Sequence, residues 1–235
     1  MFSGGLDSTV VARLTSEVSQ VTLYTMGVEG AHDILVSEGG SQQLGLPWEA
    51  LVLREEEIIS ALPRLASIIG TDSPLTLSFE MPLWVGAARC KERLILTGQG
   101  ADELFGGYAR YQKMGPGQLM KNMEKDQDEL LEVGVRREQA IAAHFGKDAR
   151  YPFLHPKVIE LARALSPDDC VRGETRKVVL RDVAQLLGLD EAAQRPKKAA
   201  QYGSGVMKVM KAEAKRRGIE LRQLVSVLMQ ESETV

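Results

Sequence analysis

Two short segments concentrate the residues that could do chemistry. Ser3-Gly4-Gly5-Leu6-Asp7-Ser8 sets two glycines, two hydroxyls and a carboxylate directly before an apolar helix start. Glycines let backbone N–H groups approach an oxyanion closely, and a helix N-terminus adds the positive end of its dipole. Ser3 and Ser8 supply hydroxyl donors. Asp7 would repel a phosphate, so beside one it makes sense mainly as a ligand for a hard cation such as Mg²⁺. Gly98-Gln99-Gly100-Ala101-Asp102-Glu103 repeats the pattern: a glycine turn, then carboxylates. If the two loops are neighbours, Asp7 and Asp102 can share one cation, and two carboxylates with phosphate oxygens and waters is the usual Mg²⁺ arrangement. Glu103 could support that shell or orient a substrate. The Gly-x-x-x-x-Gly-Lys-Ser/Thr pattern of the other common phosphate loop is absent.

The elements that must position these loops alternate along the first half. The pattern predicts helices over 9–18, 33–44, 55–69 and 82–91, and strands over 21–26, 48–53 and 93–97. Such alternation argues for an α/β fold with a doubly wound parallel sheet, whose ligands bind at the carboxyl ends of its strands. The Ser3 loop, Gly27 and Gly98-Gln99-Gly100 all fall at such ends. From Tyr108 onward strand signals disappear, and helices are expected over 117–124, 126–145, 156–165, 175–188 and 205–230. The expectation is a single unit, with an α/β core over 1–112 and a helical part over 113–235. One difficulty is plain: only Met1 and Phe2 precede the first glycine loop, too few for a strand. Reduced stability near residue 1, or a compensating contact, is expected there.

Composition narrows the function classes. With 235 residues, 44% apolar and 26% charged, the chain can build a sizeable globular core. A net charge of −3 gives no global polycation for nucleic acid. No apolar run approaches the ~20 residues of a membrane span, and no signal peptide is visible. Cys90 and Cys170 lie far apart without metal-ligand spacing and read as buried thiols, consistent with a reducing cytoplasm. The three histidines, His32, His144 and His155, show no metal spacing either. His155, before Pro156, reads as a helix-start residue rather than a base.

The first loop resembles the pyrophosphate-gripping loop of the N-type ATP pyrophosphatases. With Gly98 to Tyr108 (GQGADELFGGY), the resemblance sharpens to the synthetase domain of the asparagine synthetase family, which includes the β-lactam and carbapenam synthetases. Further matches follow in order: Ala149-Arg150-Tyr151-Pro152-Phe153-Leu154, then Gly173 to Arg181 (GETRKVVLR), then Arg195-Pro196-Lys197-Lys198. They cover nearly the whole chain.

This resemblance implies an adenine nucleotide α-hydrolase-like sheet with a helical C-terminal half, and an AMP- and pyrophosphate-forming reaction. A carboxylate is a poor electrophile. Attack on the α-phosphorus of ATP gives an acyl-AMP with a good leaving group, which an amine then displaces. By similarity Ser3, Gly4, Gly5, Asp7 and Ser8 hold phosphates, and Asp7 with Asp102 hold Mg²⁺. Met26 and Gly98 contact the nucleoside through backbone, with Gln99 beside them. Lys197 corresponds to the catalytic lysine, and Lys177 and Arg181 face the leaving pyrophosphate. Asp148 takes the place of a glutamate at the acyl or amine site.

Departures from the family pattern cluster where substrate should lie. Gln99 stands where asparagine synthetases carry Glu and β-lactam synthetases Tyr; unlike them it cannot accept a proton. Asp148 is shorter than the usual Glu, and His155 replaces an Asp. Position 2 is Phe, not the cysteine of the family's glutaminase domains, so free ammonia, a partner's ammonia or another amine is the expected nucleophile. The partners expected are thus a small carboxylate and an amine, with a separate glutaminase subunit and a homo-oligomer left open. Two other readings stay in play: a tRNA-modifying pyrophosphatase using the basic stretch from Lys197 to Arg222, disfavoured by the missing cysteine pair, and a nucleotide-binding subunit without turnover. For that basic stretch a solvated helix face is the simpler expectation. Asp148 could equally serve a structural salt bridge. Leu221, Leu224, Val225 and Leu228, at helical spacing, read as a packing stripe or a subunit contact.

Overall fold

The computed structural model describes residues 1–195 and 203–233. The first half runs α1 (Leu6–Ser16), β1 (Leu23–Val28), α2 (His32–Leu44), β2 (Trp48–Leu53), α3 (Glu55–Ile69), α4 (Pro74–Arg89), β3 (Leu94–Leu96) and α5 (Ala101–Phe105). Then come α6 (Pro116–Glu129), α7 (Val135–His144), β4 (Asp148–Arg150), α8 (Pro156–Arg163), α9 (Pro167–Cys170), β5 (Val171–Arg172) and β6 (Thr175–Arg176). The chain ends with α10 (Val178–Leu186), α11 (Asp190–Gln194), α12 (Val206–Arg217) and α13 (Leu221–Glu233). No described helix is long and apolar enough to cross a membrane.

The architecture is mixed α/β, with small parallel sheets in a largely helical chain. β1 pairs with β2 in parallel, Leu23 opposite Trp48 through Val28 opposite Leu53. β3 pairs in parallel with β4, Leu94 opposite Asp148 through Leu96 opposite Arg150. β5 and β6 form an antiparallel ribbon. A continuous doubly wound sheet is not what the strand pairing gives: among the described residues it stays in two-stranded pieces.

A lane runs between β1 and β3. Met1 and Phe2 occupy it and are too few to count as a strand. They supply the contact the short N-terminal run calls for. The Phe2 N–H donates to the Tyr24 carbonyl of β1 (2.8 Å), and the Met1 backbone nitrogen donates to the Leu96 carbonyl of β3 (2.6 Å). The Phe2 carbonyl accepts from the Thr25 hydroxyl at 2.6 Å. Gly40 lets the Phe2 ring in, since a Cβ there would stand 3.1 Å from its edge. Two residues thus lead the chain from the strands into the glycine loop.

Several boundaries differ from expectation for local reasons. The helix expected from Pro82 begins at Pro74, where Ser73 accepts a hydrogen bond from the Thr76 N–H and Pro74 takes the first helical position. The single helix expected over 205–230 breaks at Gly218, which adopts φ 68° and caps α12. The two helices expected over 117–145 meet without a gap through a π-helical turn, Leu130–Gly134. β4 is too short to show periodicity and carries no β-branched residue, so its strand was not legible.

Two cores flank the strands. One joins β1 and β2 to α3, α4, α12 and α13 through Met26, Leu51, Leu62, Leu77, Met81, Met210, Leu224 and Val225. The expected apolar stripe of α13 is therefore packing. The other binds α1 to α5, α8, α10 and α11 through Val10, Leu104, Phe105, Ala162, Leu180, Ala184 and Ala193. This second core fixes the starts of α1, α5 and α10 against one another.

Candidate active site

α1 starts without a side-chain cap. Gly5 is its N-cap residue and accepts bonds from the Ser8 hydroxyl (3.2 Å) and the Thr9 hydroxyl (2.8 Å). A capping side chain would bond the first-turn N–H groups; here those orphan donors stay available to an anion. The loop before them is held from inside. The Ser3 N–H reaches the Ser8 hydroxyl at 3.3 Å, and the two hydroxyls are 3.3 Å apart. Gly4 turns the chain at φ 66°, against the backbone of Val36 and Ser37. Ser3, Gly4, Gly5, Asp7 and Ser8 are thus held together at the start of α1.

The second loop touches the first. Gly98 lies so close to α1 that a Cβ there would meet the Asp7 Cβ at 3.1 Å and the Ser8 nitrogen at 3.3 Å. Gly100, at φ 94°, turns the chain into α5 and so presents Asp102 in its first turn. Gln99 follows, partly buried, with its side-chain nitrogen toward Gly134 of the π turn.

Lys177 joins the two carboxylates. Its Nζ stands 2.6 Å from Asp7 Oδ1 and 2.5 Å from Asp102 Oδ1, and the residue is only 2% exposed. It was expected on a helix face, one turn from Arg181. Instead it is the N-cap residue of α10 in the left-handed region at φ 56°, the one non-glycine residue with positive φ among those described. Gly107 makes room for the triad, since a Cβ there would fall 1.8 Å from Asp102 Oδ1 and 2.2 Å from Lys177 Cε. Burial alone would lower the Lys177 pKa, but Asp102 and Asp7 outweigh it and hold the ammonium above its ordinary value.

Behind the triad the chemistry turns acidic. Glu103 is buried and accepts from the Tyr108 hydroxyl, while its Oε2 has no hydrogen-bond partner among the described residues. Burial pushes its carboxyl up, partly offset by that hydroxyl. Farther in, burial pushes Glu80 of α4 to about 7, with Arg137 opposing. Glu138 of α7 is raised to about 8 by burial and then by the charge of Glu80.

Other predicted residues fall at different distances from this centre. Arg181 is part-buried: its guanidinium donates to the carbonyls of Arg176 (2.8 Å), Ala193 and Arg195 (3.3 Å), and so ties α10 to α11. Burial first, then Arg176, lowers its pKa. Met26 is buried in β1, one residue before the strand's glycine. Asp148 sits at the start of β4, with Arg93 Nε 3.3 Å away. Two residues at about 3.3 Å each separate it from the carboxyl end of its strand. His155 caps α8, accepting from the Lys157 N–H at 3.3 Å. Lys197 lies outside the described residues.

Residues that sequence reasoning left without a role also converge here. The Arg176 guanidinium donates to the Gly107 carbonyl at 2.8 Å, and Arg195 reaches the Gly4 carbonyl. Their signal was positional, since both lie inside motifs quoted above. Glu80 and Glu138 gave none, because a glutamate on a helix normally faces water.

Comparison with known proteins identifies a family. The family model described as Asparagine synthase matches residues 1–132 and 114–226. The "Putative asparagine synthetase (glutamine-hydrolyzing) 1" of Methanocaldococcus jannaschii is 32% identical over 94% of this chain and 48% of its own length. Asparagine synthetase B (glutamine-hydrolyzing) of Escherichia coli K12 is 25% identical over 88% of this chain and 41% of its own. Asparagine synthetase domain-containing protein 1 of Mus musculus is 33% identical over 56% of this chain and 22% of its own. The chain thus spans less than half the length of these relatives. On the matched family and the length of the alignments, the chain belongs to the asparagine synthase family.

Proposed function

We propose that this chain carries an ATP-dependent, AMP- and pyrophosphate-forming ligase centre that adenylates a carboxylate for attack by ammonia or another amine. The observation that carries the proposal is the convergence of Asp7, Asp102 and Lys177 at the uncapped start of α1. The residues fit a divalent cation: two carboxylates already share one positive charge, in a cradle that only a glycine at 107 leaves open. Among the described residues no group of three or more His, Cys, Asp or Glu could hold a metal alone. The remaining ligands then come from phosphate oxygens and water, as is usual for Mg²⁺. Asp7 and Asp102 would hold that ion, which would neutralise phosphate charge.

The chain's own groups do the rest. N–H groups of the first turn of α1 and the hydroxyls of Ser3 and Ser8 orient the phosphate tail. Lys177 balances charge on the departing pyrophosphate. The backbone of Met26 and Gly98 frames the nucleoside. Lys197, by family resemblance, neutralises charge at the α-phosphate and on the acyl centre. Gln99 can orient an amine but cannot take its proton, which leaves the proton to another group. Free, buried Cys90 and Cys170 support a reducing cytoplasmic setting.

Pyrophosphate release from ATP and Mg²⁺, measured with aspartate and a panel of other carboxylates, tests the proposal. No release with any carboxylate, in a protein that still binds ATP, would leave a nucleotide-binding subunit as the function. RNA recognition draws less support, because Arg216, Arg217 and Arg222 in the late basic stretch are each ion-paired, to Glu213, Glu213 with Glu231, and Glu220.

A further inference from the structure

Lys177 raises a question that pyrophosphate binding alone does not answer. Its ammonium lies between the carboxylates where a divalent ion would have to sit, at 2.6 and 2.5 Å. Both contacts are short charge-assisted hydrogen bonds, and the side chain is almost wholly out of water. Its backbone is pinned in the left-handed region at the head of α10, and the Lys177 carbonyl accepts the Arg181 N–H at 2.9 Å. The chain therefore enters the site from one direction. Gly107 lies close against Cε and Asp102 Oδ1: a Cβ there would fall 2.2 and 1.8 Å from them.

Charge decides what can displace it. The two carboxylates carry two negative charges and Lys177 returns one. A lone divalent ion entering between these carboxylates, 26% and 24% exposed, would leave a net positive site and would have to strip the buried Lys177 of both partners, which is costly for an ammonium out of water. An ion arriving with pyrophosphate or a nucleotide brings several negative charges. The ammonium can then transfer from the carboxylates to phosphate oxygens without losing its compensation.

We propose that Lys177 is a built-in counter-ion that bars free divalent cations from Asp7 and Asp102, and yields the place only when the metal arrives with a polyphosphate. This rests on the adenylation reading for the identity of the metal and the polyphosphate. It adds an order of loading: the metal does not bind first.

The test is Mn²⁺ binding to the full chain, followed by electron paramagnetic resonance of the free ion, with and without pyrophosphate. Wild type binds Mn²⁺ alone weakly and gains affinity when pyrophosphate is added. Lys177→Met removes one positive charge from between the two carboxylates, so it binds Mn²⁺ alone at least about tenfold more tightly than wild type. Adding Asp102→Asn removes that gain. Lys177→Asn, neutral and tolerant of a positive φ, gives the same gain and decides the matter if the Met variant does not fold. Equal or weaker Mn²⁺ binding by a folded neutral variant overturns the proposal. So does wild type binding Mn²⁺ as tightly without pyrophosphate as with it. Pyrophosphate release from ATP is a separate measurement: its failure would remove the adenylation reading while a Mn²⁺ gain on neutralising Lys177 would still stand.

Discussion

Arg195 reaches back across nearly the whole chain to donate a guanidinium hydrogen bond to the carbonyl of Gly4. Gly4 is the turn of the first glycine loop, and Arg195 is the last residue before the segment that carries Lys197. On the far side of that segment, the Ser204 carbonyl accepts the Val28 N–H at 3.0 Å, at the carboxyl end of β1. Both flanks of the lysine-bearing stretch are thus tied down, one to the first glycine loop and the other to the end of β1.

Arg195→Ala removes one of these ties. A hydrogen bond from a charged donor contributes about 1.5–3 kcal/mol. The expected outcome is a lower melting temperature and a raised KM for ATP, both moderate. Arg195→Lys restores charge but not the fixed fork of donors, so it recovers only part of the loss. Thermal melts together with ATP titrations of pyrophosphate release check this.

Gly107→Ala tests whether the room around the triad is needed. The added methyl would overlap Asp102 Oδ1 and Lys177 Cε. Either the carboxylate swings away or the lysine loses its straight path, and overpacking of this kind costs about 1–3 kcal/mol. Turnover should fall far more than stability, because both displaced groups are the ones assigned to the metal and pyrophosphate. Unchanged kinetics in the alanine variant would show that the triad is not at the reacting end of the site.

Much of this centre was readable in the sequence, and the physical reason is specific. Glycines next to small hydroxyls and carboxylates suit a backbone that approaches an anion, so Ser3–Ser8 and Gly98–Glu103 stand out. Two strands and α3, with periodic apolar residues, were equally plain, and β2 and α3 have the expected bounds. Lys177 entered only through family resemblance. Nothing in local sequence says that a lysine is 2% exposed, since its counter-ions lie 170 and 75 positions away. Glu138, in the run Val135-Arg136-Arg137-Glu138-Gln139, looks like a solvated helix face and is buried because α4 packs across it. Gly218 stops α12, although the apolar spacing continues beyond it in the sequence.

Lys197→Ala should nearly abolish turnover. Removing a preorganised charge from an active site costs ~3–4 kcal/mol of barrier, a fall of ~10²–10³ in kcat. Pyrophosphate binding should persist, since Asp7, Asp102 and Lys177 are untouched. Single-turnover measurement of pyrophosphate release, beside equilibrium binding of pyrophosphate, separates the two effects. Loss of binding along with turnover would place Lys197 with Lys177 in holding the phosphates rather than at the acyl centre.

The buried pair Glu80 and Glu138 makes stability depend on pH in a direction opposite to that of ordinary acid denaturation. Burial raises both folded-state values above the usual 4.5, to about 7 and about 8, and each carboxylate's charge disfavours ionisation of the other. Between the unfolded and folded values the native state holds more protons than the unfolded one, so stability falls as pH rises. The contribution is fully present below pH 4.5 and is lost as pH climbs through 7 and 8. Arg137 opposes the shift at Glu80, and Tyr151 opposes that at Glu138, but neither reverses it. Melting temperature should therefore decline from mildly acid to mildly alkaline buffer, and Glu138→Gln, neutral at every pH, should flatten that slope. A wild-type melting temperature that rises over the same range, or a Gln variant with an unchanged slope, would mean that the pair ionises freely in the folded protein and that solvent reaches it.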